Sequence, residues 1–121
     1  MPIAHILLAE DDEELRAFLT RGLRRAGHAV DPFPDGEAAL AAAEAANYDL
    51  LLADVVMPGL DGIELARRVT GLQPGIRVMF ITGFAAVALH EADMAPNRPR
   101  ILAKPFHLRR LIEEVDALLT P

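Results

Sequence analysis

The chain opens with a short apolar run, Ile6-Leu7-Leu8-Ala9, that stops at Glu10-Asp11-Asp12, and the same pattern recurs along the sequence. A short apolar run bounded by acidic or turn-forming residues reads as a strand buried on both faces. Leu15, Phe18, Leu19, Leu23 and Ala26 then fall at helical spacing, and Gly27 stops the helix. Residues 29–33 read as a weaker strand containing Pro32, whose missing N–H places it at a sheet edge. Asp35 is suited to cap an alanine-rich helix that ends near Asn47. Leu50-Leu51-Leu52-Ala53 is the third strand and runs into Asp54. After the turn at Met57-Pro58-Gly59, the spacing predicts a helix over residues 60–70, broken by Gly71, Pro74 and Gly75. Residues 76–81 are apolar apart from Arg77, as in a central parallel strand. A short helix is predicted to begin near Ala85, and Pro96 and Pro99 stop it before a last strand over residues 100–103. The final helix carries Leu108, Leu111, Ile112, Val115, Leu118 and Leu119 on one face.

Five strands alternating with five helices through short connections predict an α/β fold with a doubly wound five-stranded parallel sheet. The expected organisation is one domain over residues 1–121. In such sheets, sites form beyond the carboxyl ends of the strands. Those ends hold Glu10-Asp11-Asp12, Asp54, Thr82-Gly83 and Lys104-Pro105, each interrupting an apolar run at the same topological place. Taken singly, each has a structural reading. Acids before a helix cap it, an Asp after a strand turns the chain, and Lys-Pro announces a helix. The signal lies in all four occurring in order at strand ends.

If these strands are neighbours, three carboxylates share one pocket. Two of them about 4 Å apart repel by roughly 4 kcal/mol at an effective dielectric near 20, so the cluster raises its pKa values or recruits a cation. Oxygen donors without His or Cys favour a hard ion, and Mg²⁺ is the natural one. A carboxylate surrounded by a divalent ion, the Lys104 ammonium and the Thr82 hydroxyl suits phosphoryl transfer to that carboxylate. Asp54 is then the nucleophile.

Composition narrows the alternatives. Twelve Lys+Arg against 18 Asp+Glu give a formal charge of −6, which disfavours direct nucleic-acid binding. Arg21, Arg24 and Arg25 form the densest basic group and read as the outer face of a helix. With no cysteine, disulfides and thiolate metal sites are excluded. No secretory leader is evident, and no apolar stretch approaches the roughly 20 residues that span a bilayer. The expectation is a cytoplasmic protein without a membrane partner. His28, His90 and His107 are scattered and read as surface residues, and His5 lies beside the first strand.

The motifs Ile6-Leu7-Leu8-Ala9-Glu10-Asp11-Asp12, Leu52-Ala53-Asp54-Val55-Val56-Met57-Pro58-Gly59-Leu60-Asp61-Gly62, Phe80-Ile81-Thr82-Gly83 and Ala103-Lys104-Pro105-Phe106 resemble those of two-component response-regulator receiver domains. The resemblance covers essentially the whole chain. It implies a flavodoxin-like sheet of order 2-1-3-4-5, with Asp54 as phosphoacceptor. By the same resemblance Asp11 binds Mg²⁺ directly, Glu10 assists through water and the Val56 carbonyl is a further metal ligand. Thr82 and Lys104 would contact the phosphoryl group, the Lys104–Pro105 bond would be cis, and Asp12 would be an extra capping acid.

The stretch Phe80-Ile81-Thr82-Gly83-Phe84-Ala85-Ala86-Val87-Ala88-Leu89 and the ending Lys104-Pro105-Phe106-His107-Leu108-Arg109 are similar to the CpdR-type regulators of the bacterial cell cycle. That likeness implies a stand-alone regulator phosphorylated by a histidine kinase or histidine phosphotransferase. Its output would be priming of the ClpXP protease when unphosphorylated. A phosphorelay shuttle, or a receiver belonging to a larger regulator, is the alternative. Receivers often dimerise through their fourth and fifth helices, so a homodimer is among the expected partners. Two features depart from the family: Ile101 stands where many receivers have a switch aromatic, and residues 95–100 predict a short fourth helix.

A rival class is an aspartate-nucleophile phosphohydrolase, which needs an Asp-x-Asp pattern after its first strand. Here that place holds Glu10-Asp11-Asp12-Glu13. A dinucleotide binder needs a glycine-rich turn there, and none is present. A degenerate, constitutive receiver would be expected to have lost pocket side chains that this chain keeps. The chain is therefore expected to catalyse only its own phosphorylation and dephosphorylation.

Overall fold

A computed structural model describes residues 3–83 and 100–120. Among them the order is β1 (His5–Ala9), α1 (Glu13–Arg25), β2 (Ala29–Phe33), α2 (Gly36–Ala45), β3 (Leu50–Asp54), α3 (Gly62–Leu72), β4 (Arg77–Thr82), β5 (Arg100–Ala103) and α4 (Leu108–Leu119). The helix predicted to begin near Ala85 lies outside the described residues. All neighbouring strands are parallel, in the order β2-β1-β3-β4-β5. The Pro32 strand is at an edge, where its missing N–H leaves no gap in an inner ladder.

Period-two alternation divides each strand between two cores. Leu7, Ala9, Leu51, Ala53, Val78 and Phe80 pack under α2 and α3. Ile6, Leu8, Leu50, Leu52, Met79 and Ile81 pack on the other face against Leu19 and Leu23 of α1 and Leu111 and Val115 of α4. Phe18, placed by spacing in the α1 stripe, is 41% exposed, because Leu19 and Leu23 already fill the interface.

All three strand-to-helix loops that open α1, α2 and α3 end in a capping aspartate. Asp12 accepts from Leu15 N, Asp35 from Ala38 N and Asp61 from Glu64 N. The last cap explains why α3 begins at Gly62 and not near residue 60. Asp61 holds the cap position, and Gly62 lies flat against the end of β3. Its N–H donates to Val55 O at 3.0 Å, and a Cβ there would sit only 2.0 Å from Asp54 O.

His28 corrects the surface reading given to it above: it is buried, 4% exposed. Its Nδ1 accepts from Ala4 N at 3.0 Å, and its Nε2 is 3.8 Å from Asp116 Oδ1 on α4. The amino end of β1 needs an acceptor there, and the turn at Gly27 (φ +105°) delivers the imidazole to it. His107 is exposed as expected, and His90 lies outside the described residues. His5 joins the edge strand, with Nε2 2.9 Å from Asp31 Oδ2, an oxygen that also accepts from Tyr48 OH at 2.7 Å.

Two glycines of α3 make opposite predictions. Gly62→Ala forces a methyl group into backbone and should destabilise the fold by about 2–4 kcal/mol despite better helix propensity. Gly71 has nothing within 4 Å of its virtual Cβ, so Gly71→Ala should stabilise by about 0.5–1 kcal/mol. Urea unfolding followed by circular dichroism measures both, and equal effects would contradict the packing described.

Candidate functional site

Register builds the site. Ala9 pairs with Ala53, so Glu10 lies abreast of Asp54 at the end of β3. Asp54 pairs with Ile81, which puts Thr82 one step beyond it, and Thr82 pairs with Ala103, which puts Lys104 one step further. Glu10, Asp54 and Lys104 thus continue the side-chain rows of Leu8, Leu52 and Leu102 on the α1 face of the sheet. Each apolar row ends in a charge at the same edge.

The carboxyl atoms of Glu10, Asp11 and Asp54 lie within 4.8 Å of one another. Glu10 is fully buried, Asp54 nearly so, and Asp11 is exposed. Lys104 Nζ donates to Asp54 Oδ2 at 2.7 Å and stands 3.7 Å from Glu10 Oε1. Asp54 Oδ1 accepts from Val56 N at 3.1 Å. Thr82 is buried beside them, and its carbonyl accepts from Lys104 N at 3.0 Å. The Lys104–Pro105 bond is cis. The structure brings Glu10, Asp11, Asp54 and Lys104 together, with Thr82 at the adjoining end of β4. Val56 enters through its backbone, and its side chain is 55% exposed. Phe84 lies outside the described residues.

Burial, the largest influence, pushes the Glu10 carboxyl up to about 7. The Asp12 N–H and Lys104 pull it back, while repulsion from Asp54 and a side-chain hydrogen bond with Asp11, which favours the protonated form, push it up. For Lys104, burial works against the charge, but the hydrogen bond to Asp54 and the nearby acids outweigh it and hold the ammonium above its ordinary range. Glu10 Oε2 accepts from Asp12 N at 3.0 Å, whereas Oε1 is buried with no hydrogen-bond partner among the described residues. A buried carboxyl oxygen without a hydrogen bond among the described residues, clustered with two further acids, fits a hard cation.

Arg16 was not singled out in the sequence. From the second turn of α1, its Nη1 donates to Glu10 O at 2.9 Å and fixes the acidic corner from below. Its spacing, one turn past the capping Asp12, is the only sequence cue to this role.

The Glu10 shift has a sign. With a folded pKa near 7 and an ordinary value of 4.5, the folded chain holds a proton that the unfolded chain releases between these limits. Glu10 therefore removes stability as pH rises through that window. Glu10→Gln should gain on the parent between pH 5 and 8, reaching about 1–3 kcal/mol in metal-free buffer. Parallel stability–pH curves from urea unfolding would refute this.

The chain matches the response regulator receiver domain family over residues 6–116. It is 50% identical over 114 residues to the response regulator receiver protein CpdR of Brucella abortus (strain 2308), covering 94% of this chain and 95% of that one. Of several transcriptional regulators that it also matches, it spans between 24% and 56% of the length. Among solved structures, chemotaxis protein CheY4 of Vibrio cholerae superposes with a TM-score of 0.88 at 26% identity, covering 98% of this chain and all of that one. Response regulator TrrA of Thermotoga maritima, determined in complex with Mg²⁺ and BeF, gives 0.80 at 28% identity, covering 95% and 98%. With its sheet order, its acidic corner and its lysine in place, the chain belongs to the response regulator receiver domain family and has a sequence of the CpdR type.

Proposed function

We propose that this chain is a phosphorylation-controlled binding module that accepts a phosphoryl group on Asp54 from a phosphohistidine donor. The observation that carries this reading is the Lys104 Nζ–Asp54 Oδ2 contact of 2.7 Å inside a cluster of three carboxylates. An Asp54 carboxylate oxygen attacks the phosphorus of the donor, and the P–N bond breaks with its electron pair returning to the imidazole. The product is an acyl phosphate. Lys104 meets the charge of the arriving phosphoryl oxygens, and Thr82 donates a hydrogen bond to one of them. Water attack on phosphorus later returns the carboxylate and inorganic phosphate.

Glu10, Asp11, Asp54 and the Val56 carbonyl are the groups that would hold Mg²⁺. When bound, the ion offsets charge on the carboxylates and phosphoryl oxygens. The all-oxygen donor set and the orphaned Glu10 Oε1 support this, as does the Mg²⁺–BeF complex of TrrA.

The output in this reading is a changed surface and not a released metabolite. Similarity to CpdR supports a cytoplasmic adaptor that serves the ClpXP protease in its unphosphorylated form, with a histidine kinase or histidine phosphotransferase as donor.

With acetyl phosphate and Mg²⁺, intact mass should show one added phosphoryl group that is lost in Asp54→Ala or with chelator. Lys104→Ala should slow its formation by about 100-fold. Folded protein that binds Mg²⁺ yet takes up no phosphoryl group from acetyl phosphate or a phosphohistidine donor would overturn the proposal. In a reconstituted degradation assay, only unphosphorylated chain should accelerate ClpXP.

A further inference from the structure

The loop of residues 55–61, which leaves β3 and carries Val56, is fastened at both ends. At its base, Gly62 N donates to Val55 O, and the bare Gly62 Cα lets α3 lie on the Asp54 carbonyl. At its start, Val56 N donates to Asp54 Oδ1. Its far end is held from another element. Glu37, in the first turn of α2, accepts from Leu60 N with Oε2 at 2.9 Å.

Two glycines make that contact possible. Gly59 has φ +75°, and a Cβ there would fall 2.8 Å from Glu37 Oε2 and 3.2 Å from Oε1, so the carboxylate occupies the space a side chain would take. A Cβ on Gly36 would lie 2.5 Å from Leu60 O, so the α2 backbone touches the loop directly. Close backbone approach from Gly36, a left-handed turn at Gly59 and a carboxylate acceptor from Glu37 converge on Leu60. Glu37 is exposed and has no part in the acidic cluster described above.

We infer that Glu37 is a positioning residue for the divalent-cation site, acting through the loop that presents the Val56 carbonyl. This rests on the proposed function, which makes that carbonyl a ligand. A backbone ligand has no rotamer of its own, so its direction is set by whatever fixes the loop at its two ends. Asp54 anchors the start of the loop and the Gly62–Val55 bond its base, and Glu37 is the side-chain anchor that does not itself bind the ion. Outer contacts of this kind tune affinity without touching the metal.

Calorimetric titration of the intact chain with Mg²⁺, amide exchange at Leu60 and unfolding in chelator together test the assignment. Glu37→Ala should weaken Mg²⁺ about 3- to 10-fold and speed Leu60 exchange, while metal-free stability stays close to that of the parent. Glu37→Gln keeps an acceptor oxygen and loses the charge, so it should remain within about twofold of the parent. A Glu37→Ala affinity equal to the parent's overturns the inference. Equal losses in Glu37→Ala and Glu37→Gln also overturn it, since they would mean the charge acts at a distance. A parent that binds no Mg²⁺ overturns the proposed cation site itself, and the inference with it.

Discussion

A parallel sheet covered by helices on both faces can carry charge only where its strands end, and here one end gathers three carboxylates and one ammonium. Like charges at this spacing do not sit together in a partly buried corner without compensation. Lys104 supplies some, but its hydrogen bond goes to Asp54, and Glu10 Oε1, 3.7 Å from that ammonium, has no hydrogen bond among the described residues. The remaining strain falls on Glu10, whose carboxyl is pushed by burial up to about 7. The fold tolerates this because β1, β3 and β4 are sealed by two full apolar cores, which hold the corner shut from both faces. Stability elsewhere sustains an unfavourable cluster at the edge, as is common where a site must respond to a cation or a new anion.

The fold and this corner were legible in the sequence for the same reason. Runs such as Leu50-Leu51-Leu52-Ala53 can only be inner strands, and the residue that ends each run must lie at the sheet edge. The edge position of Pro32 followed from its missing N–H, whereas the order 2-1-3-4-5 and the capping role of Asp12 were implied by the family resemblance; all three are present. What escaped was tertiary. His28 looks like a surface residue after a glycine because nothing local shows that Ala4 N lacks an acceptor. Phe18 has the right spacing for the core, yet spacing does not say how wide the interface is. Arg16 and Glu37 act on backbone atoms six and 23 residues away, and backbone acceptors and donors leave no mark in composition. Even the start of α3 turned on a detail of this kind, the fit of Gly62 against the Asp54 carbonyl.

Lys104 connects the corner to the rest of the molecule. Its ammonium is tied to Asp54, its N–H to the Thr82 carbonyl, and it follows directly on β5. A phosphoryl group on Asp54 would change the partner of that ammonium at the point where β4 and β5 are fastened together. β5 is the other edge strand, and three residues before Lys104 it exposes Ile101 by 43%, while Leu102 anchors the opposite face. Many receivers carry at this place an aromatic whose inward rotation accompanies activation. An isoleucine has no ring to rotate, so its side chain cannot report the state of Asp54 by the same movement. Under the proposed function, the main-chain bond from Lys104 N to the Thr82 carbonyl would couple a change at Asp54 to the end of β5. An output surface built on β5 would then be read by a partner as strand position and apolar exposure, without a rotamer switch.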